Sequence, residues 1–390
     1  MAFNRDFSNP IDMTTGKNLK TRVMIDKIER KGQMYPYEIS NHLGPVKSVN
    51  MNKDSTLFAS CCAQDKKIFI FDAITFQILN VFNTKNAVAH IMFTSDSKYI
   101  IGFCSMDGVY FFKIDDFTKT DSKQKNLPTN SEHRMAEFDS FRIKGGDLSY
   151  GSDKLLLVRE ELFRGERDYR INYLEVFDLN KYFEGNRTTR LSSCRIFSKE
   201  SEPKDAAVKG LFGLDSDHLF YSTDSEVIRF DITLGDIVHK KALKADIKLS
   251  KVTSMRMSKK YEFLGLAGPE GVTLISPVDL KVLKNFPTEF PMNTVAFSPR
   301  ISMKKNPKYH IILGGGVSAR DTAQSKQGGT EILLYNISTS TKMSQLTGHY
   351  GPVNYLDWYG DGAGFISAGE EGIIRVYRFD KSYFVDPKFK

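Results

Sequence analysis

The sequence predicts an all-β fold, a β-propeller of seven four-stranded antiparallel blades, and three observations carry that reading. Short alternating strands recur along the chain where long runs at helical spacing are scarce. Phe and Tyr supply 46 residues against a single Trp, Trp358, a balance that suits pleated, half-buried surfaces. The strand pattern also returns every ~40–45 residues, the period of a ring of multi-stranded blades.

The repeating unit has a fixed grammar. Residues 57–72 (LFASCCAQDKKIFIFD), 219–231 (LFYSTDSEVIRFD) and 365–380 (FISAGEEGIIRVYRFD) each read as a strand, a tight acidic turn and a second strand ending in an aromatic. The spacing from acid to aromatic is six in all three: Asp65 to Phe71, Asp224 to Phe230, Glu371 to Tyr377. Glu270 in FLGLAGPEGVTLIS and Asp107 in IIGFCSMDGVYFFKID occupy the same turn in weaker copies. Asp suits such a turn because it bonds nearby backbone N–H groups, and a following Gly supplies positive φ. Upstream of the pairs lies a third strand: VKSVNM (46–51), VAHIMF (88–93), VKGLFG (208–213), VTSMRM (252–257), NTVAFS (293–298) and VNYLDW (353–358).

Taken in order, the blades span 41–83, 84–120, 137–200, 203–243, 244–286, 287–344 and 345–380. The third is irregular, with strands in SYGSDKLLLVRE and INYLEVFD around a charged loop. The polar segments 116–136 and 198–206 read as loops. Blades one and seven open on the same H-x-G-P-V string, at His42 and His349. Histidines so placed are expected to bond their own blade's turn acid, as scaffold rather than chemistry. A ring with two open sheet edges would be sticky, so the alternating segment 35–40 (YPYEIS) is expected to complete the last blade, Pro36 being tolerable on an edge strand. The domain plan is therefore an extended arm at 1–33, a propeller at 34–384 and a short tail at 385–390.

Composition and motifs argue against catalysis. The net charge of +8 spread over 390 residues is a mild basic bias, short of a dedicated nucleic-acid arm. No apolar stretch reaches the ~18 residues of a membrane span, and charges interrupt the first thirty residues where a signal peptide would be apolar. Cys61, Cys62, Cys104 and Cys194 form no C-x-x-C, so neither a disulfide framework nor zinc is indicated. Seven histidines form no H-E-x-x-H, and Gly314-Gly315-Gly316 is followed by no G-K-[ST]. A G-x-S-x-G elbow is missing as well. The expectation is a cytoplasmic protein of a reducing compartment, with no enzyme activity, cofactor, metal, membrane contact or small-molecule substrate. The basic loop 300–308 and the lysines and arginines of the N-terminal arm could touch RNA phosphates, though solvated loops are the commoner fate of such runs.

The second half narrows the choice further. Residues 313–322 read LGGGVSARDT, residues 291–299 read PMNTVAFSP, and the last blade opens GHYGP at Gly348 to Pro352. That blade continues through Gly369, Glu370, Glu371 and Gly372 to Tyr383 and Phe384. These strings resemble the i subunit of eukaryotic translation initiation factor 3, a seven-bladed WD-repeat family, over 34–384 and most strongly over 285–384. In that family an L-G-G-G strand runs into an A-x-D-like loop, here Gly314, Gly315, Gly316, Ala319 and Asp321. The chain departs from the pattern in its added residues 1–33, in Glu371 where the family has Asp, and in F-D for W-D at Phe71-Asp72 and Phe230-Asp231. The resemblance implies a scaffold that binds the b and g subunits and sits on the small ribosomal subunit. It also implies that acids of the later blades receive a helix of the b subunit. Glu270 stands at such a place, and Ser254 stands where an Asp is often found. The alternative is a WD-repeat adaptor of another cytosolic complex, a substrate receptor or signalling scaffold. An enzyme reading would need a compact acid cluster in the central channel.

Overall fold

The structure is a computed structural model that describes residues 35–106, 108–114, 132–135, 142–163, 169–184, 190–197, 209–303, 307–317, 329–379 and 382–385. Seven four-stranded sheets succeed one another, each antiparallel and in sequence order except the last. In each, strand a is innermost, and the a strands of neighbouring blades stand side by side around the axis. They are Val46–Met51, Val88–Phe93, Arg142–Leu148, Lys209–Phe212, Ser254–Met257, Met292–Phe297 and Val353–Trp358.

Burial explains why seven sheets hold as one body. Apolar residues on alternate sides of a strand face opposite neighbours, and they collect into seven core clusters, one at each joint between blades. The cluster between blades seven and one joins Ile39, Val49, Phe58 and Phe71 to Ile366, Ala368 and Val376. The aromatic six residues beyond the turn acid packs against its register partner on the blade's second strand (strand b), Leu57–Cys62 in blade one and Gly364–Gly369 in blade seven, strand c being the third. Phe71 stacks on Phe58 and Tyr377 on Phe365, each at 4.6 Å between ring centroids. The acid of F-D ends strand c by capping the next turn: Asp72 Oδ1 accepts from the N–H groups of Ile74 and Thr75 at 2.9 and 2.6 Å. Asp231 Oδ1 does the same for Thr233 and Leu234, both at 2.8 Å. The Asp of this dipeptide therefore keeps its role with Phe before it.

The ring closes through the N-terminal strand. Tyr35–Ile39 pairs antiparallel with Ile374–Arg378, with Pro36 opposite Tyr377, and so forms the outermost strand of blade seven. Two details of the sequence reading change. The polar segment 116–136 is not loop throughout, because Glu132–Met135 pairs with Gly108–Lys113 and completes blade two. In blade three the charged loop is shorter than its composition indicates. Strands Lys154–Phe163 and Tyr169–Asp178 stay paired to Phe163–Tyr169, and the innermost strand Arg142–Leu148, rich in Gly and charge, carried no alternation to reveal it. The expected arm at 1–33 lies outside the described residues. Among the described residues no helix is long and apolar enough to cross a membrane.

Candidate functional site

Blades one and seven carry the same hydrogen-bonded cluster. His42 Nδ1 lies 2.6 Å from Asp65 Oδ2, and its Nε2 lies 2.7 Å from the Ser60 hydroxyl. His349 repeats this with Glu371 Oε1 at 2.6 Å and Ser367 Oγ at 2.6 Å. The turns differ in length, five residues from Ser60 to Asp65 and four from Ser367 to Glu371. The shorter turn goes with the acid that is longer by one methylene, and both carboxylates reach the same distance from Nδ1. Neither serine was singled out in the sequence, where nothing distinguishes them from other strand residues.

The two clusters differ in their surroundings. Edge-on to His42 stands Phe69, at 4.9 Å between centroids. At the matching place in blade seven is Arg375, whose Nη1 lies 2.5 Å from Glu371 Oε1 and 2.7 Å from His349 Nδ1. Burial pulls both imidazoles down. At His42 burial is outweighed only by Asp65 and Cys62 acting together and the pKa ends raised, whereas at His349 burial prevails over Glu371, aided by Arg375. Burial would push the Glu371 carboxyl up, but the bond to His349 and the Arg375 guanidinium hold it down at about 2.

His42, Cys62 and Asp65 bring three ligand-type atoms within 4.8 Å of one another. The 2.6 Å between Nδ1 and Oδ2 is a hydrogen-bond separation. Two ligands of a tetrahedral zinc at ~2.0 Å bonds would sit about 3.3 Å apart. The arrangement works as a clasp tying the blade opening to the hairpin turn.

The other predicted residues scatter. Asp224 occupies the strand b–c turn of blade four, half-buried. Asp107 lies outside the described residues, as do Ala319 and Asp321. Gly314 and Gly315 end the second strand of blade six, His310–Gly315, where a side chain would be crowded at Gly314 and blocked by backbone at Gly315. A Cβ on Gly314 would come 2.7 Å from Val353, and one on Gly315 would come 2.0 Å from the Pro291 carbonyl. Gly316, at φ +130°, donates its N–H back to Pro291 O at 2.8 Å. Gly314 thus serves close packing at the joint to blade seven, and Gly315 close packing on the innermost strand of its own blade. Glu270 is exposed in the b–c turn of blade five, where its Oε2 accepts from the Ser250 N–H at 3.0 Å. Ser254 is half-buried in the channel wall, paired with Ala267.

The central channel encloses a cavity of about 580 Å³ whose lining holds two acids among the described residues, Asp147 and Asp357. Both serve as latches between blades. Asp357 Oδ2 accepts from the Met51 N–H at 2.8 Å, and Asp147 Oδ2 from the Phe212 N–H at 2.8 Å. Asn50 Oδ1 makes the equivalent bond to the Phe93 N–H at 2.9 Å. Burial pushes Asp147 up to about 6. These three latches are residues the sequence reading missed, because their partners are backbone groups of another blade.

Comparison with known proteins places these features. The WD domain, G-beta repeat model matches residues 35–72 and 340–378, the two stretches that contain the histidine clasps. A curated relative from Pyricularia oryzae, named eukaryotic translation initiation factor 3 subunit I, is 31% identical over 354 residues, covering 90% of this chain and 94% of that protein. The chain belongs to the translation initiation factor 3 subunit I family. A subunit I from Aspergillus oryzae is 25% identical over 90% of the chain and 96% of its own length. The β-propeller domain of Cps50 (Swd1) from Myceliophteria thermophila superposes with a TM-score of 0.61 over 87% of this chain and 98% of that one. At 14% identity that likeness speaks for the fold alone. Within the subunit I family this chain is a divergent WD-repeat member. The repeat model matches residues in blades one and seven, and apolar joints run between all seven blades.

Proposed function

We propose that the chain is a non-catalytic scaffold subunit of translation initiation factor 3 in the cytoplasm. In this reading it binds the b and g subunits and supports mRNA recruitment and scanning on the small ribosomal subunit. The observation that supports it is kinship with subunit I proteins over nearly the whole length of both chains. The mechanism is geometric. A closed ring with a core at every joint holds its turns in fixed relative positions, and fixed turns present partner segments at defined angles. Glu270 is the proposed contact for a basic face of the b-subunit helix, because its carboxylate is exposed on a turn that its own Ser250 bond keeps in one conformation. Ser254, recessed in the channel wall, is the weaker of the two candidates. The arm at 1–33 is proposed as an additional contact that orders on binding.

The test is a tagged pull-down from native cytosol, with identification of bound proteins and sedimentation of the lysate on a sucrose gradient. Recovery of the b and g subunits and co-migration with the small ribosomal subunit is expected, and Glu270→Lys should reduce recovery of b. Unrelated partners sedimenting away from ribosomes would replace this reading with the adaptor one.

A further inference from the structure

Strand register sets one residue of each blade at a common level of the channel wall. Ser48 stands opposite Cys61, His90 opposite Phe103, Gly145 opposite Val158 and Lys209 opposite Ser222. Side chains fill most of this level: Ser48 Oγ lies 3.0 Å from His90 Nδ1, and the His90 ring lies 5.4 Å from Tyr355. At Gly145 the wall is open, since a Cβ there would meet nothing within 4 Å. The gap falls between His90 of blade two and Lys209 of blade four, with Lys144 next to it in the chain, and all line the same cavity.

Charge around the gap is unbalanced. Lys47 is answered by Glu370 at 3.3 Å, Lys144 by Glu160 at 3.0 Å, and Arg256 by Asp357 at 3.7 Å. Lys209 has no carboxylate partner among the described residues. Burial and the nearby Lys144 ammonium both lower its pKa. Asp147 does not answer it, being turned to the Phe212 N–H. His90 is kept neutral, its pKa lowered to about 3 by burial and by Arg256 and Lys209.

We propose that the gap over Gly145 binds a compact oxyanion of the phosphate class, held by the ammonium groups of Lys209 and Lys144 beside the neutral ring of His90. A small multivalent anion fits better than an acidic peptide. The cations line a channel, and a small anion of two or three charges matches one unanswered ammonium together with one already shared. The site is independent of the scaffold reading.

The probe is sodium pyrophosphate, titrated calorimetrically into the full-length chain at pH 7.5 and constant ionic strength. Saturable one-to-one binding is expected, weakened at least tenfold by Lys209→Met and unchanged by Lys342→Gln on the outer strand of blade six. Gly145→Leu is the second variant. It puts a side chain into the gap at a position whose Cβ meets nothing within 4 Å, leaves both lysines in place, and should likewise weaken binding at least tenfold. Absence of saturable binding, or wild-type affinity in a folded Lys209→Met or Gly145→Leu protein, would overturn the proposal. Binding of an oligoglutamate peptide that depends on Lys209, with no binding of pyrophosphate, would overturn it in favour of an acidic-peptide site.

Discussion

Arg375 joins the two ends of the chain to each other: its Nε and Nη2 donate to Glu38 Oε1 at 3.0 and 2.6 Å. The guanidinium is fully buried and the Glu38 side chain is 14% exposed, so neither charge is well hydrated. Strand pairing aligns them, since Glu38 and Arg375 are register partners in the sheet that closes the ring. Removing one member of a buried pair strands the other, which costs far more than the pair contributes when intact. Glu38→Ala should therefore lower unfolding stability by about 3 kcal/mol, the low end of the range for broken buried pairs because Glu371 still faces the guanidinium. Deleting residues 34–40 should lower the unfolding midpoint of the entire propeller in a urea titration. An unchanged midpoint would remove the N-terminal strand from the account of ring closure.

Acid should loosen the same joint. The Glu371 carboxyl is held at about 2, against 4.5 for a free glutamate. A depressed folded pKa contributes stability that is complete above the unfolded value and lost as pH falls through the folded one. The window is pH 4.5 to 2, and the contribution is about 3 kcal/mol at 1.36 kcal/mol per pH unit. Glu371→Gln should flatten the acid limb of stability between those pH values. An acid limb as steep as wild type in that variant would mean that other carboxylates carry it.

The sequence made the blade count and the ring closure legible because both rest on local pattern: alternation, a turn acid and a fixed spacing to an aromatic. Legibility ended where a residue's partner belongs to another blade. Asp357 looks like any acid inside VNYLDW, yet it accepts the Met51 N–H from more than three hundred residues away. Blade three was the hardest to read, because Arg142–Leu148 holds two glycines and three charges where its neighbours hold Val or Ile. Its side chains face a polar channel on one side, so apolar alternation had little to report. Of the site residues, the histidine clasps were readable because H-x-G-P-V occurs twice, and the glycine run was readable as a string but not as a joint.

The glycine run offers a graded test. A Cβ on Gly314 would press on the Val353 and Leu356 side chains at 2.7 and 2.9 Å, both of which can shift. A Cβ on Gly315 would instead meet the Pro291 carbonyl at 2.0 Å and the Met292 Cα at 2.7 Å, which are backbone. Overpacking that side chains can absorb costs about 1–3 kcal/mol. Gly314→Ala should fall in that range by chemical denaturation, and Gly315→Ala should cost more or prevent folding. Equal, small effects at both positions would refute the close packing of Gly314 on blade seven and of Gly315 on the innermost strand of its own blade.

His42 and His349 make the same two bonds and should nevertheless titrate in opposite directions. Burial disfavours the charged imidazole in both, and Asp65 together with Cys62 overcomes it at His42 while Glu371, shared with Arg375, fails to at His349. The raised pKa at His42 gives stability that is present below pH 6.5 and lost as pH rises through the folded value. The lowered pKa at His349 gives stability that is present above pH 6.5 and lost as pH falls through its own. In ¹H–¹³C spectra of the ring Cε1 groups, His42 should show a midpoint above 6.5 and His349 one below it. Arg375→Met removes the cation beside Nδ1 and should move the His349 midpoint upward while leaving His42 in place. If His349 stayed put in that variant, desolvation alone would account for the contrast, and the difference between the blades would lie in their packing rather than in Arg375.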